Sequence, residues 1–182
     1  MISRLFRRTP EDANITVLYG MIVAQARRPT FYQEYGVPDT VNGRLEMVML
    51  HAVLFLRRVG EQDEAVRALG QGLFDHFCRD MDANMREMGV GDLAVPKKMR
   101  RIGEAFYGRQ SVYRTALAAP EAEPLVAALH RNVYAGEGAV GGAGRLADYV
   151  REAVRVLDMQ SADGFMRGTL QFPDPAALLV QA

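Results

Sequence analysis

The sequence contains few of the residues on which enzyme chemistry is usually built. It has one cysteine, Cys78, so an internal disulfide and a zinc site made of cysteines are excluded. There are three histidines and three serines, and no serine stands in the Gly-x-Ser-x-Gly motif of a nucleophile elbow. We therefore predict no catalytic residue and no cofactor, and we expect Cys78 to be a small, partly buried apolar residue.

The chain also lacks an excess of charge and a long apolar run. Lys plus Arg and Asp plus Glu each number 22, so no overall field attracts nucleic acid, and no specific nucleic-acid partner is expected. No stretch reaches the roughly 18–20 apolar residues that a membrane span requires. Two local basic patches remain, one in residues 4–8 and one in residues 97–101.

What is present is helical periodicity along almost the whole chain. It predicts an all-α fold, a single-domain bundle of about six to seven helices without a sheet. We expect a basic N-terminal segment at 1–13, a helical core at 14–135, a glycine-rich link at 136–144, and a C-terminal helix with an irregular tail at 145–182. Asn14 is the expected cap of the first helix.

The second predicted helix, from about Val41 to Val59, is apolar on nearly all sides and is therefore expected at the centre of the bundle. Its polar residues Arg44, His51 and Arg58 stand seven apart, so they are expected to share one seam. Two cations beside an imidazole favour an anionic ligand, a haem group or a partner carboxylate. The alternative is a hydrogen-bonded or solvated polar stripe without a ligand.

Two further patterns resemble ligand sites but lack the structural setting that those sites need. Gly136-x-Gly138-x-x-Gly141 follows a helix rather than a strand, so we interpret it as part of a flexible link instead of a dinucleotide fingerprint. His76 and Asp80 lie one helical turn apart, but the Glu-x-x-His pairs of bundle metal sites are missing. No metal site is therefore predicted.

The strongest positive signal is the density of charged and aromatic residues around predicted turns, which is typical of protein interfaces. Methionines add to this signal, because Met81, Met85 and Met88 share one helical face. Together with Met47, Met49 and Met99 they form either an adaptable apolar surface for a partner or an ordinary methionine-filled core.

Four stretches in these clusters carry a family resemblance: Phe31-Tyr32 to Gly36-Val37-Pro38-Asp39-Thr40, Gly43-Arg44-Leu45-Glu46-Met47 to Leu50-His51, Leu73-Phe74-Asp75 to Asp92-Leu93, and Val95-Pro96-Lys97-Lys98 to Phe106-Tyr107-Gly108-Arg109. In their order and spacing the chain resembles the ubiquinol–cytochrome c chaperone family over residues 15 to about 135.

That resemblance implies a helical, non-enzymatic assembly chaperone that binds newly made cytochrome b and supports assembly of the ubiquinol–cytochrome c reductase. It also implies a small assembly partner and a contact with the ribosome. Because no presequence is recognisable, we expect a bacterial member of the family. Such a protein would be cytoplasmic and peripheral at the inner face of the cytoplasmic membrane.

We expect the partner-binding surface to use charged and aromatic residues of these stretches, namely Tyr35, Asp39, Arg44, Asp75, Arg79, Asp82, Arg86, Lys97, Lys98, Tyr107 and Arg109. The alternative for the charged residues is that they tie loops together inside the protein. Two alternative functions stay open: a carrier of haem or an anion at the Arg44, His51 and Arg58 seam, and a ribosome-docking module that uses residues 97–101.

Overall fold

The computed structural model describes residues 10–137 and 140–179, and these residues form an all-α bundle, as predicted. Six helices of ten or more residues build it, together with three helices of five residues each. In chain order they are α1 (Pro10–Ala26), α2 (Pro29–Gln33), α3 (Val41–Gly60), α4 (Glu64–Glu87), α5 (Val95–Ala118), α6 (Glu123–Asn132), α7 (Val140–Asp158), α8 (Ala162–Met166) and α9 (Pro175–Leu179).

Helix α3 is the central element, as its apolar character predicts. Every residue from Met47 to Phe55 is buried, and α3 packs against α1, α4, α5 and α7. Its start is fixed by Thr40, whose Oγ1 accepts a hydrogen bond from the Gly43 backbone at 3.0 Å. A cap of this kind stabilises a helix by about 1 kcal/mol.

Glycines in α4 allow the helix to cross its neighbours closely. A Cβ at Gly70 would lie 2.8 Å from Cγ2 of Val59 on α3, and one at Gly72 would lie 2.4 Å from Cδ1 of Ile15 on α1. Helix α4 continues unbroken through both positions. The two glycines therefore mark a helix crossing and not a bend.

The first helix begins earlier than predicted. Helix α1 starts at Pro10, a residue type that suits a first helical turn, so Asn14 lies inside the helix and is not its cap. The Asn14 side chain instead donates from Nδ2 to the Met166 backbone oxygen at 2.7 Å. The predicted boundary at residue 13 therefore falls within α1, and the basic residues 4–8 lie outside the described residues.

The glycine-rich stretch is only partly a link. Helix α7 begins at Val140, so Gly141, Gly142 and Gly144 are helical and not part of a flexible connection. A Cβ at Gly142 would lie 2.6 Å from the Tyr35 backbone oxygen. The sequence predicts a flexible link for these glycines. In the structure, at least Gly142 is needed for a different reason, because α7 packs so closely against the backbone of Tyr35 that a side chain would not fit.

The C-terminal residues that the structure describes, up to residue 179, pack onto the bundle and are only partly irregular. Short helices α8 and α9 form there, and the connection between them contributes hydrogen-bond acceptors to the core. The Pro173 oxygen accepts from Gln25 Nε2 at 2.9 Å, and the Pro175 oxygen accepts from the Tyr35 hydroxyl at 2.8 Å. These hydrogen bonds join residues that are more than 100 positions apart in the sequence, so local periodicity does not predict them.

Candidate functional site

A groove of about 580 Å³ lies between α3, α4 and α5, close to the C-terminal end of α1. We call it the methionine groove. Its lining residues are Arg27, Val41, Asn42, Arg44, Leu45, Val48, Met81, Asn84, Met85, Met88, Val90, Lys98, Arg101 and Ile102. Its volume lies within the range of roughly 300–1,000 Å³ that is typical of ligand sites in proteins.

The floor of the methionine groove is apolar and becomes progressively more exposed towards its edge. Val48 and Met85 are buried, and Met81 is half-buried against the core. At the edge, Val41 is 75% exposed and Met88 is 62% exposed. Flexible thioether side chains adapt to irregular apolar partners, so this floor suits an apolar ligand of variable shape.

The rim of the methionine groove is basic. Four cations line it, Arg27, Arg44, Lys98 and Arg101, and among the described residues no carboxylate does. Arg44 forms an exposed ion pair with Asp39 at 2.6 Å, and Asp39 lies outside the groove lining. A ligand with negative charge at its edges is therefore favoured over one with positive charge.

A second cavity of about 470 Å³ continues from the groove along α5, and we call it the arginine pocket. It shares Asn42, Leu45, Arg101 and Ile102 with the methionine groove and adds Glu46, Met49, Ala105, Arg109, Arg131, Asn132 and Ala135. Glu46 is buried and accepts two hydrogen bonds from Arg109, at 2.7 Å from Nη2 and 3.0 Å from Nε.

The charge of the arginine pocket is not balanced within the described residues. Glu46 neutralises Arg109, whereas Arg101 and Arg131 form no ion pair with any residue that the structure describes. Both of these side chains are exposed. The pocket therefore offers two guanidinium groups to an external anion.

The polar seam predicted from the spacing of Arg44, His51 and Arg58 is not formed. Arg44 is exposed at the groove rim, but His51 is fully buried, and Arg58 donates to the backbone oxygens of Leu157 and Gln160 at 3.1 and 2.9 Å. The spacing places the three residues on one side of α3, but α7 and the C-terminal residues cover that side. The seam therefore offers no common open site to an anion or a haem group.

His51 is held as a neutral core residue. Its Nδ1 lies 2.8 Å from the Met47 oxygen and must donate to it, because a carbonyl oxygen only accepts. Its Nε2 then accepts from the Tyr149 hydroxyl at 2.8 Å, and Gln25 donates to that same hydroxyl. Burial lowers the pKa of His51 to about 4.

The other predicted partner-binding residues are spread over different parts of the surface. Arg44 and Lys98 border the methionine groove and Arg109 borders the arginine pocket, whereas Tyr35 is a buried core residue. Arg86 is engaged internally, with Asp82 at 2.7 Å and Asp92 at 2.5 Å. The residues that line neither cavity are Tyr35, Asp39, Asp75, Arg79, Asp82, Arg86, Lys97 and Tyr107.

Several cavity residues escaped the sequence analysis. Arg27 follows α1, Val41 begins α3 and Arg131 lies in α6, and only the packing brings these distant residues to the two adjoining cavities. The available signal was the helical spacing of Met81, Met85 and Met88, which do line the groove. Met47 and Met49, by contrast, are buried in the core.

Three further observations concern ligands and membranes. The half-buried Cys78 packs against the core, and burial raises the pKa of its thiol. The described residues contain no group of three or more His, Cys, Asp and Glu side chains arranged to hold a metal ion. Within the same part of the chain, no helix is both long enough and apolar enough to span a bilayer.

Comparison with known proteins gives three concordant matches. The model of a family described as ubiquinol-cytochrome C chaperone matches residues 33–172. The ubiquinol-cytochrome-c reductase complex assembly factor 1 of Xenopus laevis is 24% identical over 116 residues, which are 64% of this chain and 58% of that protein. The chain thus matches less than two thirds of this relative's length.

The third match is to a solved structure, the crystal structure of the Cbp3 homolog from Brucella abortus. The two chains are 38% identical, and the alignment covers 97% of this chain and 98% of the other with a TM-score of 0.85.

Proposed function

Because the chain belongs to the ubiquinol-cytochrome c chaperone family, we propose that it binds newly made cytochrome b and supports assembly of the ubiquinol–cytochrome c reductase. In this proposal the protein is not an enzyme, and its action is the temporary covering of a client surface. The methionine groove is the client site. A small assembly partner, a ribosome contact and a position at the membrane surface stay predictions.

The exposed apolar edge of the methionine groove is the observation that carries this proposal. Val41 and Met88 expose large apolar side chains beside a groove with an apolar floor. An apolar surface of this kind is costly in water and marks an interaction site. Cytochrome b, as an apolar membrane protein, would supply a matching surface before it is inserted into its complex.

The state of the chemistry-bearing side chains supports a role without catalysis. His51 is buried, neutral and committed to two hydrogen bonds, so it is poorly placed as a general base. Burial raises the pKa of the Cys78 thiol, which keeps it in the less nucleophilic protonated form.

The experiment that tests the client site is copurification of cytochrome b with an affinity-tagged double variant, Val41→Gln with Met88→Gln. Both side chains are exposed, so the fold is expected to survive, and the change removes apolar area without altering charge. Loss of this area should weaken binding by about 1–2 kcal/mol, or roughly tenfold in recovered client. Circular dichroism checks that the helices are retained.

The matched control is Val17→Gln with Met159→Gln, which makes the same two changes at exposed apolar residues outside the methionine groove. This control should recover as much cytochrome b as the unmodified protein. Equal recovery from the groove variant and from the control would remove the groove from the client interface.

A further inference from the structure

We propose that the segment held in the methionine groove is an apolar helix flanked by carboxylates, and that the arginine pocket receives one of these carboxylates. This inference rests on the proposed function, since it specifies the chemistry of the client segment. An amphipathic helix laid into an apolar groove is a recurrent mode of peptide recognition. Charge, continuity of the two cavities and the extent of the apolar surface support it.

The first argument is local charge. The whole chain has equal numbers of acidic and basic residues, yet the groove lining holds four cations and, within the described residues, no carboxylate. In the adjoining pocket Glu46 is already paired with Arg109, which leaves Arg101 and Arg131 without an ion-pair partner among the described residues. An occupant with carboxylates would neutralise this local excess, whereas one with lysines would be repelled.

The second argument is the continuity of the two cavities. Asn42, Leu45, Arg101 and Ile102 line both of them, so the two cavities adjoin along α5. The pocket wall also includes Asn132, which is buried. A carboxylate in the pocket would accept hydrogen bonds from the guanidinium groups of Arg101 and Arg131, which have no ion-pair partner among the described residues.

The third argument separates a polypeptide from a small anionic lipid such as a fatty acid. The apolar surface extends from the floor to the exposed edge of the groove at Val41 and Met88, and the loop that follows Val90 carries Leu93, which lies outside the groove lining and is 99% exposed. A single acyl chain in the groove would leave these side chains uncovered. A helix with side chains on several faces would cover both the floor and the edge.

The protein's own N-terminal segment is a poor occupant. Of residues 10–27, only Arg27, which directly follows α1, lines the groove, and α1 has 17 residues, so its start at Pro10 lies about 25 Å away along the helix axis. Residues 1–9 also carry three arginines, Arg4, Arg7 and Arg8, which a basic rim would repel.

The test uses three fluorescently labelled peptides of about 15 residues, roughly the length at which an isolated helix becomes stable enough to measure. All three carry leucines at helical spacing and differ only in their flanks, which are pairs of Glu, Gln or Lys. Fluorescence anisotropy with the full-length protein should rank them Glu, then Gln, then Lys, with at least a tenfold difference between the first and the last. The preference should shrink as salt is added.

The decisive variant is Arg101→Glu with Arg131→Glu, which should reverse the ranking so that the Lys-flanked peptide binds most tightly. The matched control is Arg67→Glu with Arg114→Glu, the same change at exposed helical arginines that line neither cavity. It should keep the original ranking. A reversal in the site variant and not in the control locates the selectivity at these two arginines.

Three outcomes would overturn the inference. Equal affinity for the three peptides, lost together in the Val41→Gln, Met88→Gln variant, would retain the groove as client site but remove the carboxylate requirement. Displacement of every peptide by oleate, with oleate binding lost in the Arg101→Glu, Arg131→Glu variant and no ranking among the peptides, would identify a fatty acid as the occupant. Absence of binding to all peptides, while cytochrome b is still recovered, would place the client elsewhere.

Discussion

Arg109 on α5 holds the buried carboxylate of Glu46 on α3 through two hydrogen bonds, and this ion pair forms one wall of the arginine pocket. The two residues are 63 positions apart in sequence, so the pair fixes the distance between the two helices that the groove and the pocket share. The pairing of Arg109 with Glu46 fixes the wall of the pocket, and it leaves Arg101 and Arg131 available to bind an external anion.

This ion pair should contribute measurably to stability. Glu46→Ala leaves a largely buried guanidinium without its partner, so we expect the free energy of unfolding to fall by about 2–3 kcal/mol in urea denaturation. Glu104→Ala, which breaks the exposed pair between Arg100 and Glu104, is the control and should change it by less than about 1 kcal/mol. Similar effects of the two changes would contradict a structural role for Glu46.

The buried histidine predicts how stability depends on pH. The pKa of His51 is about 4 in the folded protein, below its ordinary value of 6.5, so only the unfolded chain binds a proton between these values. The contribution of His51 is therefore complete above about pH 6.5 and is lost as the pH falls towards 4. Between pH 7 and pH 5 the loss should be about 2 kcal/mol.

The measurement is urea unfolding at both pH values, with His51→Gln as the reference. Glutamine does not titrate, so the variant removes the histidine contribution while the carboxylates that titrate near pH 4–5 are unchanged. The pH dependence of the unmodified protein should exceed that of the variant by about 2 kcal/mol. Identical slopes would mean that His51 is not held neutral in the folded protein.

The glycine-rich stretch gives a test of helix packing. Gly142→Ala would place a Cβ 2.6 Å from the Tyr35 oxygen, so it should lower the free energy of unfolding by about 2 kcal/mol. Gly144→Ala, two residues further along the same helix, meets no described atom within 4 Å and should raise it by about 0.5–1 kcal/mol. Thermal unfolding followed by circular dichroism distinguishes the two. Neutral results at both positions would restore the interpretation as a flexible link.

Tyr35, in the turn after α2, is a buried core residue among the predicted interface residues. Tyr35→Phe removes the hydroxyl that donates to Pro175, so stability should fall by about 1 kcal/mol. Because the side chain is buried, recovery of cytochrome b should stay unchanged in the copurification experiment. Reduced recovery at unchanged stability would return Tyr35 to the interface.

Local sequence patterns predict much of the fold. The apolar residues on all sides of α3 predict a central helix, and α3 packs against four other helices, α1, α4, α5 and α7. Capping and stop signals also acted locally: Thr40 begins α3, and Gly89 follows α4 with a positive φ of 78°. Such signals depend on neighbouring residues alone, and a single sequence contains them completely.

Two of the errors share one physical origin, since both depend on contacts between distant residues. The spacing predicts that His51 lies on a polar seam. In the structure Tyr149 and Phe172 cover the His51 side chain, and no local sequence pattern predicts these contacts. The glycines at 141–144 are predicted to form a link because the sequence does not show that the Tyr35 backbone packs closely against Gly142.

The sequence by itself determined the helical class, the central helix and the spacing of the groove methionines, because these follow from periodicity and from local backbone preferences. Which arginines lack an ion-pair partner follows only from the tertiary structure. Arg86 and Arg109 are used in internal ion pairs, whereas Arg101 and Arg131 line the arginine pocket without such partners in the described chain. Charge pairing depends on distances of a few ångströms between helices, and packing sets those distances.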